Sequence, residues 1–288
     1  MVCDAQAMHR IKTERRFLGY SMTISIYQVD AFSDRPFGGN PAAVCLLDDA
    51  RDDAWMQAIA AEMNLSETAF LKQLDGSRVS LRWFTPTVEV ELCGHATLAA
   101  AHVLWESGRF EANATIEFET LSGSLFARRQ EAWIVLDFPA QTVRELNPIP
   151  SILLEGLGLT SAEFVGSDGV DYVIEVVRAA TVRQLVPNQI LLGRLPVRGV
   201  TVTAKADDDE PHDFISRFFA PAAGIPEDPV TGSAHCSLAT YWATRLQKTE
   251  FWAYQASKRG GELKVALMGD RVQISGKAVT VLAGEIRA

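Results

Sequence analysis

Arg82-Trp83-Phe84-Thr85-Pro86 leads through a short loop to Gly94 and an alanine-rich run, and Arg217-Phe218-Phe219-Ala220-Pro221 leads through a second short loop to Gly232 and a similar run. The order Arg, two aromatics, small residue, Pro, loop, Gly, helix thus recurs 135 residues apart (82 to 217). Such an offset is far longer than a solenoid period, so it marks a duplicated lobe. Both loops carry reactive side chains: Glu89, Glu91, Cys93 and His95 in the first, and Glu227, Asp228, Thr231, Ser233 and His235 in the second. Two related halves, each ending in a glycine-opened helix, suggest one cleft that grips a small anion from both sides.

Working outward, alternating and β-branched runs predict strands over 23–29, 42–47, 67–72 and 78–84, and again over 115–119, 124–128, 133–138, 172–177, 200–204 and 214–219. Helical spacing predicts helices over 53–63, 95–105, 151–156, 182–186 and 233–247. The chain ends in strands over 263–268, 271–275 and 278–282, read as hairpins with turns at Gly269-Asp270 and Gly276-Lys277. Strands dominate and short turns join many of them. The expected fold is therefore α+β: two pseudo-symmetric lobes, each a mixed or antiparallel sheet wrapped round a central helix. The expected division is an N-terminal lobe over 22–128, a C-terminal lobe over 129–275, and a strand near 276–288 crossing back to the first lobe. Residues 1–21 are expected to be a disordered extension or an artefact of the assigned start.

The 288 residues are 48% hydrophobic and 22% charged, as in ordinary globular proteins. A net charge of -9 argues against nucleic acid or an anionic membrane as partner. No apolar run approaches the roughly 20 residues of a membrane span, and the first 20 residues lack the apolar core of a secretory signal. The expected location is the cytoplasm. The cysteines, Cys3, Cys45, Cys93 and Cys236, form no CxxC pair and no zinc pattern, so no metal site is expected.

The first N–H groups of a helix lack intrahelical partners, and its dipole adds positive potential there. Gly94 and Gly232 open their helices without a Cβ, so a carboxylate or phosphate can approach the backbone. Glu67, between Leu65 and Ala69-Phe70, reads two ways. In an apolar setting its pKa rises and it passes protons near neutral pH; otherwise it is a strand-edge or capping glutamate. His95 reads as an acid, a hydrogen-bond donor or a substrate-positioning group. Asp228 reads as a helix cap or as a partner for substrate. Cys93 reads as a nucleophile or base if the helix end ionises it, or as a small buried hydrophobe. His235 reads as packing.

Five motifs in order resemble one family: Asn40-Pro41-Ala42-Ala43-Val44, Asn64-Leu65-Ser66-Glu67-Thr68-Ala69-Phe70, Arg82-Trp83-Phe84-Thr85-Pro86, Cys93-Gly94-His95-Ala96-Thr97 and Glu227-Asp228-Pro229-Val230-Thr231-Gly232-Ser233-Ala234. They look like the phenazine biosynthesis PhzF-like family, which has the diaminopimelate epimerase fold. The resemblance runs from about Ser25 to the C-terminus. It implies two lobes, a homodimer and no cofactor. In the family's phenazine isomerase a glutamate shuttles a proton between two ring carbons, and that residue matches Glu67. The family's active-site histidine, aspartate and serine match His95, Asp228 and Ser233. The related epimerases place a cysteine before each helix; here Cys93 holds the first place and Thr231 the second, so a symmetric two-thiol racemase is not expected.

The leading expectation is a cofactor-independent isomerase of a small carboxylic acid. Glu67, His95 and Asp228 act on the substrate, and Cys93, Gly94, Thr231, Gly232 and Ser233 bind it. The alternatives are a Cys93-dependent epimerase-type enzyme and a non-catalytic carboxylate-binding protein on the same scaffold.

Overall fold

The structure, a computed structural model, describes residues 23–287. The expected extension over 1–21 lies outside them. The first lobe is built from β1 (Thr23–Ala31), β2 (Asn40–Leu47), α1 (Asp53–Met63), β3 (Glu67–Asp75), β4 (Arg78–Phe84), β5 (Glu89–Val90), α2 (Gly94–Glu106), β6 (Ile116–Thr120), β7 (Gly123–Gln130) and β8 (Trp133–Pro139). The second begins with β9 (Arg144–Glu145), α3 (Ser151–Leu157), β10 (Phe164–Ser167), β11 (Tyr172–Glu175), α4 (Ala179–Gln184), α5 (Gln189–Leu192), β12 (Val200–Lys205) and β13 (Phe214–Ala220). It continues with β14 (Ile225–Asp228), α6 (Gly232–Leu246), β15 (Glu250–Gln255), β16 (Gly261–Met268) and β17 (Arg271–Gly276), after which β18 (Ala278–Arg287) crosses back to the first lobe.

The repeated motif appears as repeated topology. β4 is antiparallel to β3 and β5 and parallel to β6, while β13 is antiparallel to β12 and β14 and parallel to β15. The register agrees on one side of the motif, where Phe84 pairs with Thr68 and Phe219 with Val200; on the other side β13 and β14 are separated by a bulge that β4 and β5 lack. The lobes join where β8 pairs antiparallel with β17.

Each sheet curls round one buried helix. Ten of the thirteen residues of α2 are buried, including Ala96, Ala99, Ala100 and Ala101. A helix apolar on all sides belongs inside a fold, and its small residues let the sheet close around it. The second helix, α6, is buried along Ala234, Cys236, Leu238, Ala239 and Trp242. Both helices share one core. A capped surface helix covers the first sheet's outer face: Asp52 accepts from the Trp55 N–H at 2.8 Å, Asn64 closes the helix in the left-handed region, and Met56 and Ala60 pack on Phe70 and Phe84. The short helices α3, α4 and α5 cover the corresponding face of the second sheet.

One expected hairpin does not form. β16 and β17 pair as expected across Gly269, but β18 leaves β17 and pairs antiparallel with β1 from Ala278–Ala31 to Arg287–Thr23. The free edge of β17 is already taken by β8. Gly276 is no hairpin turn; it lies flat against Phe32, and a Cβ there would come within 2.3 Å of that ring. The periodicity missed the short strands β5, β9 and β14 and three further elements. β15 follows directly on the helix, β10 has four residues, and α5 is a single turn capped by the Asn188 side chain. The helix expected at 182–186 starts earlier, at Ala179, with no side-chain cap to signal it.

Candidate active site

A cavity of about 520 Å³ opens between the lobes, lined by both helix beginnings and by Glu67, Arg198 and Asp228. The two helices meet almost end to end. A Cβ on Gly94 would lie 3.5 Å from the Cα of Gly232, and one on Gly232 would lie 3.6 Å from the Cα of Gly94. Either Cβ would meet only ordinary van der Waals contact, so the convergence does not itself demand glycine; what the missing Cβ leaves is open access to the N–H groups. All of Glu67, Cys93, Gly94, His95, Asp228, Thr231, Gly232 and Ser233 border this one cavity. A second, polar cavity of about 220 Å³ beside Phe32 contains none of them, and its Arg259 and Lys277 are paired with Asp30 and Asp34.

Glu67 is the first residue of β3, beside Ala42 on the neighbouring strand. It neither faces bulk water nor caps a helix: its side chain is 13% exposed. Its Oε2 lies 3.2 Å from His95 Nε2, and neither atom has a hydrogen-bond partner of good geometry among the described residues. Burial, with the nearby Asp228 carboxyl second, pushes the Glu67 pKa up to about 8. Burial pushes His95 down to about 3. At neutral pH the contact therefore joins a largely protonated acid to a neutral imidazole and is no ion pair.

Asp228 does not cap the second helix. It accepts from Asn40 Nδ2 at 2.8 Å and from the Thr231 hydroxyl. Burial raises its pKa to about 6, against the lowering effect of these two bonds. Thr231 occupies the cap position without a side-chain cap bond; its N–H donates to Gln255 Oε1 at 2.8 Å, and Gln255 Nε2 donates back to the Asp228 carbonyl at 2.8 Å. This buried amide ties the loop to β15.

Cys93 precedes Gly94, with its Sγ 3.5 Å from His95 Nδ1. Burial and the Glu67 carboxyl push its thiol well above the usual cysteine value, opposite to an activated thiolate. Glu67, Cys93 and His95 each place one ligand atom within 4.8 Å of the others, the one such cluster among the described residues. No spacing in the sequence signals it, because the three converge from a strand and a helix. A metal ion there would have to displace the protons of Glu67 and Cys93.

The remaining candidates lie elsewhere. Glu89 and Glu227 are tied to Arg82 and Arg217 by paired hydrogen bonds of 2.6–2.9 Å. Glu91 is exposed. His235 is fully buried, stacked on Phe214, with Nδ1 2.8 Å from the Thr231 carbonyl. Sequence reasoning missed Asn40, Gln255 and Arg198. Asn40 stands in a quoted motif but was given no role; the other two carry no local pattern.

The chain matches the family model described as "Phenazine biosynthesis-like protein" over residues 29–284. A Halalkalibacterium halodurans protein named "uncharacterized isomerase" is 53% identical over 265 residues, covering 92% of this chain and 99% of its own. A human protein named "phenazine biosynthesis-like domain-containing protein" is 42% identical over 289 residues, covering 93% of this chain and 100% of its own. Among solved structures, an Enterococcus faecalis protein of the PhzF family superposes with a TM-score of 0.87 at 41% identity, over 93% of this chain and 100% of that one. A hydroxyproline epimerase from Agrobacterium vitis shares the fold at 14% identity, with a TM-score of 0.63 over 93% of each chain. With its two-lobed architecture, its paired helix beginnings and a match along nearly its whole described length, the chain belongs to the phenazine biosynthesis-like PhzF protein family.

Proposed function

We propose that this protein is a cofactor-independent isomerase that moves a proton between carbons of a small carboxylic acid, with Glu67 as the proton carrier. The observation that carries the proposal is the Glu67 carboxyl: open to the cavity, 3.2 Å from a neutral histidine, and with a pKa near 8. An acid of that strength gives and takes protons close to neutral pH with similar ease. The names of the bacterial relatives as isomerases agree with this class of reaction.

In the proposed reaction ionised Glu67 removes a proton from a carbon made acidic by the substrate's own unsaturation, then returns it to another carbon on the same face. His95, neutral, donates or accepts a hydrogen bond to the atom where charge develops. Asp228, fixed by Asn40 and Thr231, aligns a polar group of the substrate. Cys93, Gly94, Thr231, Gly232 and Ser233 shape the floor, where N–H groups of the two helix beginnings favour an anion. Val88, Leu92, Phe138 and Phe218 supply apolar walls suited to a ring. Cys93 remains a neutral thiol in this scheme.

The test is Glu67→Gln, which keeps the shape and removes the basic oxygen. Incubation of bound substrate in D₂O, followed by NMR, is expected to show carbon-bound deuterium with the wild type, and a rate lower by about 10²–10⁴-fold with the variant. Exchange at the wild-type rate would remove Glu67 from the mechanism. The proposal also includes a cytoplasmic homodimer acting without metal. Dialysis against EDTA is expected to leave turnover intact, and light scattering to give twice the 31.6 kDa chain mass.

A further inference from the structure

Arg198 lies outside every motif of the sequence, yet its side chain is held on three sides. Its Nε donates to Asp171 Oδ1 at 3.1 Å and its Nη2 donates to Asp171 Oδ2, with the Asp171 side chain only 2% exposed. Its guanidinium carbon lies 5.6 Å from the centre of the Phe218 ring. Phe218 in turn is wedged against Gly199, where a Cβ would come within 2.2 Å of the ring. Nη2 also donates to Ser233 Oγ at 3.0 Å. Nη1 has no hydrogen-bond partner among the described residues, and the side chain, 43% exposed, borders the cavity. A guanidinium braced in this way loses little rotamer freedom when it binds a ligand.

Ser233 completes the corner. Its Oγ accepts from Arg198, which leaves its own hydroxyl hydrogen free to donate. It is the second residue of α6, whose first-turn N–H groups have no intrahelical acceptor. A charged N–H, a hydroxyl and backbone N–H groups thus converge beside Gly232. The planar, two-oxygen acceptor that suits this set is a carboxylate. Arg198 is also the one arginine or lysine lining the cavity among the described residues, where Asp228, and Glu67 once ionised, otherwise oppose an anion.

Building on the proposed reading of the cavity as a site for a small carboxylic acid, we infer that Arg198 and Ser233 together bind the substrate's carboxylate, so that the second lobe anchors the molecule while the first moves its proton. The inference selects a substrate whose carboxylate stands at one end and whose reacting carbons reach across to Glu67. Neutral analogues lose the anchor and keep only the apolar walls.

The test compares carboxylates with their own amides: benzoate with benzamide, cyclohexene-1-carboxylate with its carboxamide, and phenylacetate with phenylacetamide, each titrated calorimetrically into the full chain. The wild type is expected to prefer at least one carboxylate by tenfold or more. Arg198→Met alone would leave Asp171 buried and unpaired, so it is made together with Asp171→Asn. In this double variant carboxylate affinity is expected to fall roughly 10- to 100-fold, with amide affinity unchanged. Arg198→Lys keeps the charge without the paired geometry and is expected to fall between. If the double variant melts early, Ser233→Ala is judged on the same ligand pairs and is expected to weaken only the carboxylates. Survival of the preference in these variants overturns the inference, as does a wild type that prefers none of the three carboxylates. Carbon-bound deuterium separates the two claims. A ligand that loses affinity with Arg198 but never gains deuterium leaves the anchor standing and the isomerase reading fallen, and the converse result does the opposite.

Discussion

Glu67 and Gly199 occupy the same place in the two lobes: each stands one residue before the position that pairs with the second aromatic of the repeated motif, Phe84 in one case and Phe219 in the other. In the first lobe that place carries a carboxyl group into the cavity. In the second it carries nothing, and the Phe218 ring fills the space. The contrast continues around the cleft. Cys93 faces Thr231 across the pseudo-twofold, His95 faces Ser233, and Val90 corresponds to Asp228. The duplicated backbone has been kept and its chemistry divided. One lobe holds the groups suited to move a proton, and the other holds hydroxyls, a braced guanidinium and a hydrogen-bonded carboxyl suited to hold the substrate still. A symmetric racemase needs matched groups on opposite faces; this cleft has unmatched ones, which suits removal and return on a single face.

The repeated arginines test how deep the symmetry runs in the scaffold. Both bind a glutamate through two hydrogen bonds. Arg217 is 11% exposed, and its Nη1 also donates to the carbonyls of Val182 and Leu185, so it ties α4 to the sheet. Arg82 is 29% exposed, and its further partner is the exposed Asp53. The two glutamates are equally exposed, so the difference lies in the buried carbonyls: Arg217→Met strands those of Val182 and Leu185 as well as Glu227 and is expected to cost about 3 kcal/mol. Arg82→Met is expected to cost about 1 kcal/mol or less. Chemical denaturation of both variants checks the order; equal losses would mean that the lobes rest on the motif equally.

On the proposed reading the first lobe, through Glu67, sets the pH dependence between about pH 6 and 8, while Asp228 of the second lobe, raised to about 6, adds its own limb only below that. A base must be ionised to act, and burial holds Glu67 protonated up to about pH 8. The raised value means that the active form is present above pH 8 and disappears as the pH falls. The value of kcat/KM is expected to rise with unit slope up to about pH 8 and then level. At pH 6 it is expected to sit roughly 100-fold below the plateau. His95, already neutral throughout this range, adds no limb of its own. Activity that falls between pH 6 and 8 would mean that protonated Glu67 acts first, as the acid.

Gly199→Ala asks whether the second lobe could ever have carried a matching side chain. Its Cβ would come within 2.2 Å of the Phe218 ring. Phe218 must then move, and with it the stack that steadies Arg198. A stability loss of about 1–3 kcal/mol is expected, read as a lower Tm. An unchanged Tm would show that the asymmetry at this place is not enforced by packing.

Much of this was legible because duplication repeats a local signal. The motif ending at Phe84 and again at Phe219 gave the two strands, the two loops and the two glycine-opened helices, and the quoted motifs contained Glu67, His95, Asp228 and Ser233. What stayed hidden has no local signature. A strand near 276–288 returning to the first lobe was expected, but its particular partner, β1 at the opposite end of the chain, was not, and Gly276-Lys277 looks like a turn because the glycine that fits under Phe32 is the same residue type that makes a hairpin. Arg198 precedes an ordinary strand, and its meaning comes from Asp171, Phe218 and Ser233, which reach it from three other elements. Gln255 is likewise silent until β15 runs beneath the loop before α6. Strand partners and buried polar bonds across 27 residues or more are properties of the closed sheet, not of any window of sequence.

The smallest effect is expected where the two lobes are made alike. Cys93→Thr places at the first helix beginning the residue that already serves at the second. The thiol's pKa is raised by burial and by Glu67, so it is neither a thiolate nor a ready base, and its Sγ lies 3.5 Å from His95 Nδ1, a weak contact at best. Threonine replaces the thiol by a hydroxyl and adds a methyl in a tight place, so a loss of a few-fold in kcat/KM is expected, with about 1 kcal/mol of stability. Iodoacetamide at neutral pH is expected to react slowly with the native wild type, since the nucleophile is the thiolate. A collapse of turnover in Cys93→Thr, together with rapid inactivation that a bound carboxylate prevents, would transfer the chemistry from Glu67 to sulfur. The first lobe would then resemble half of a two-thiol enzyme whose other half had become an anchor.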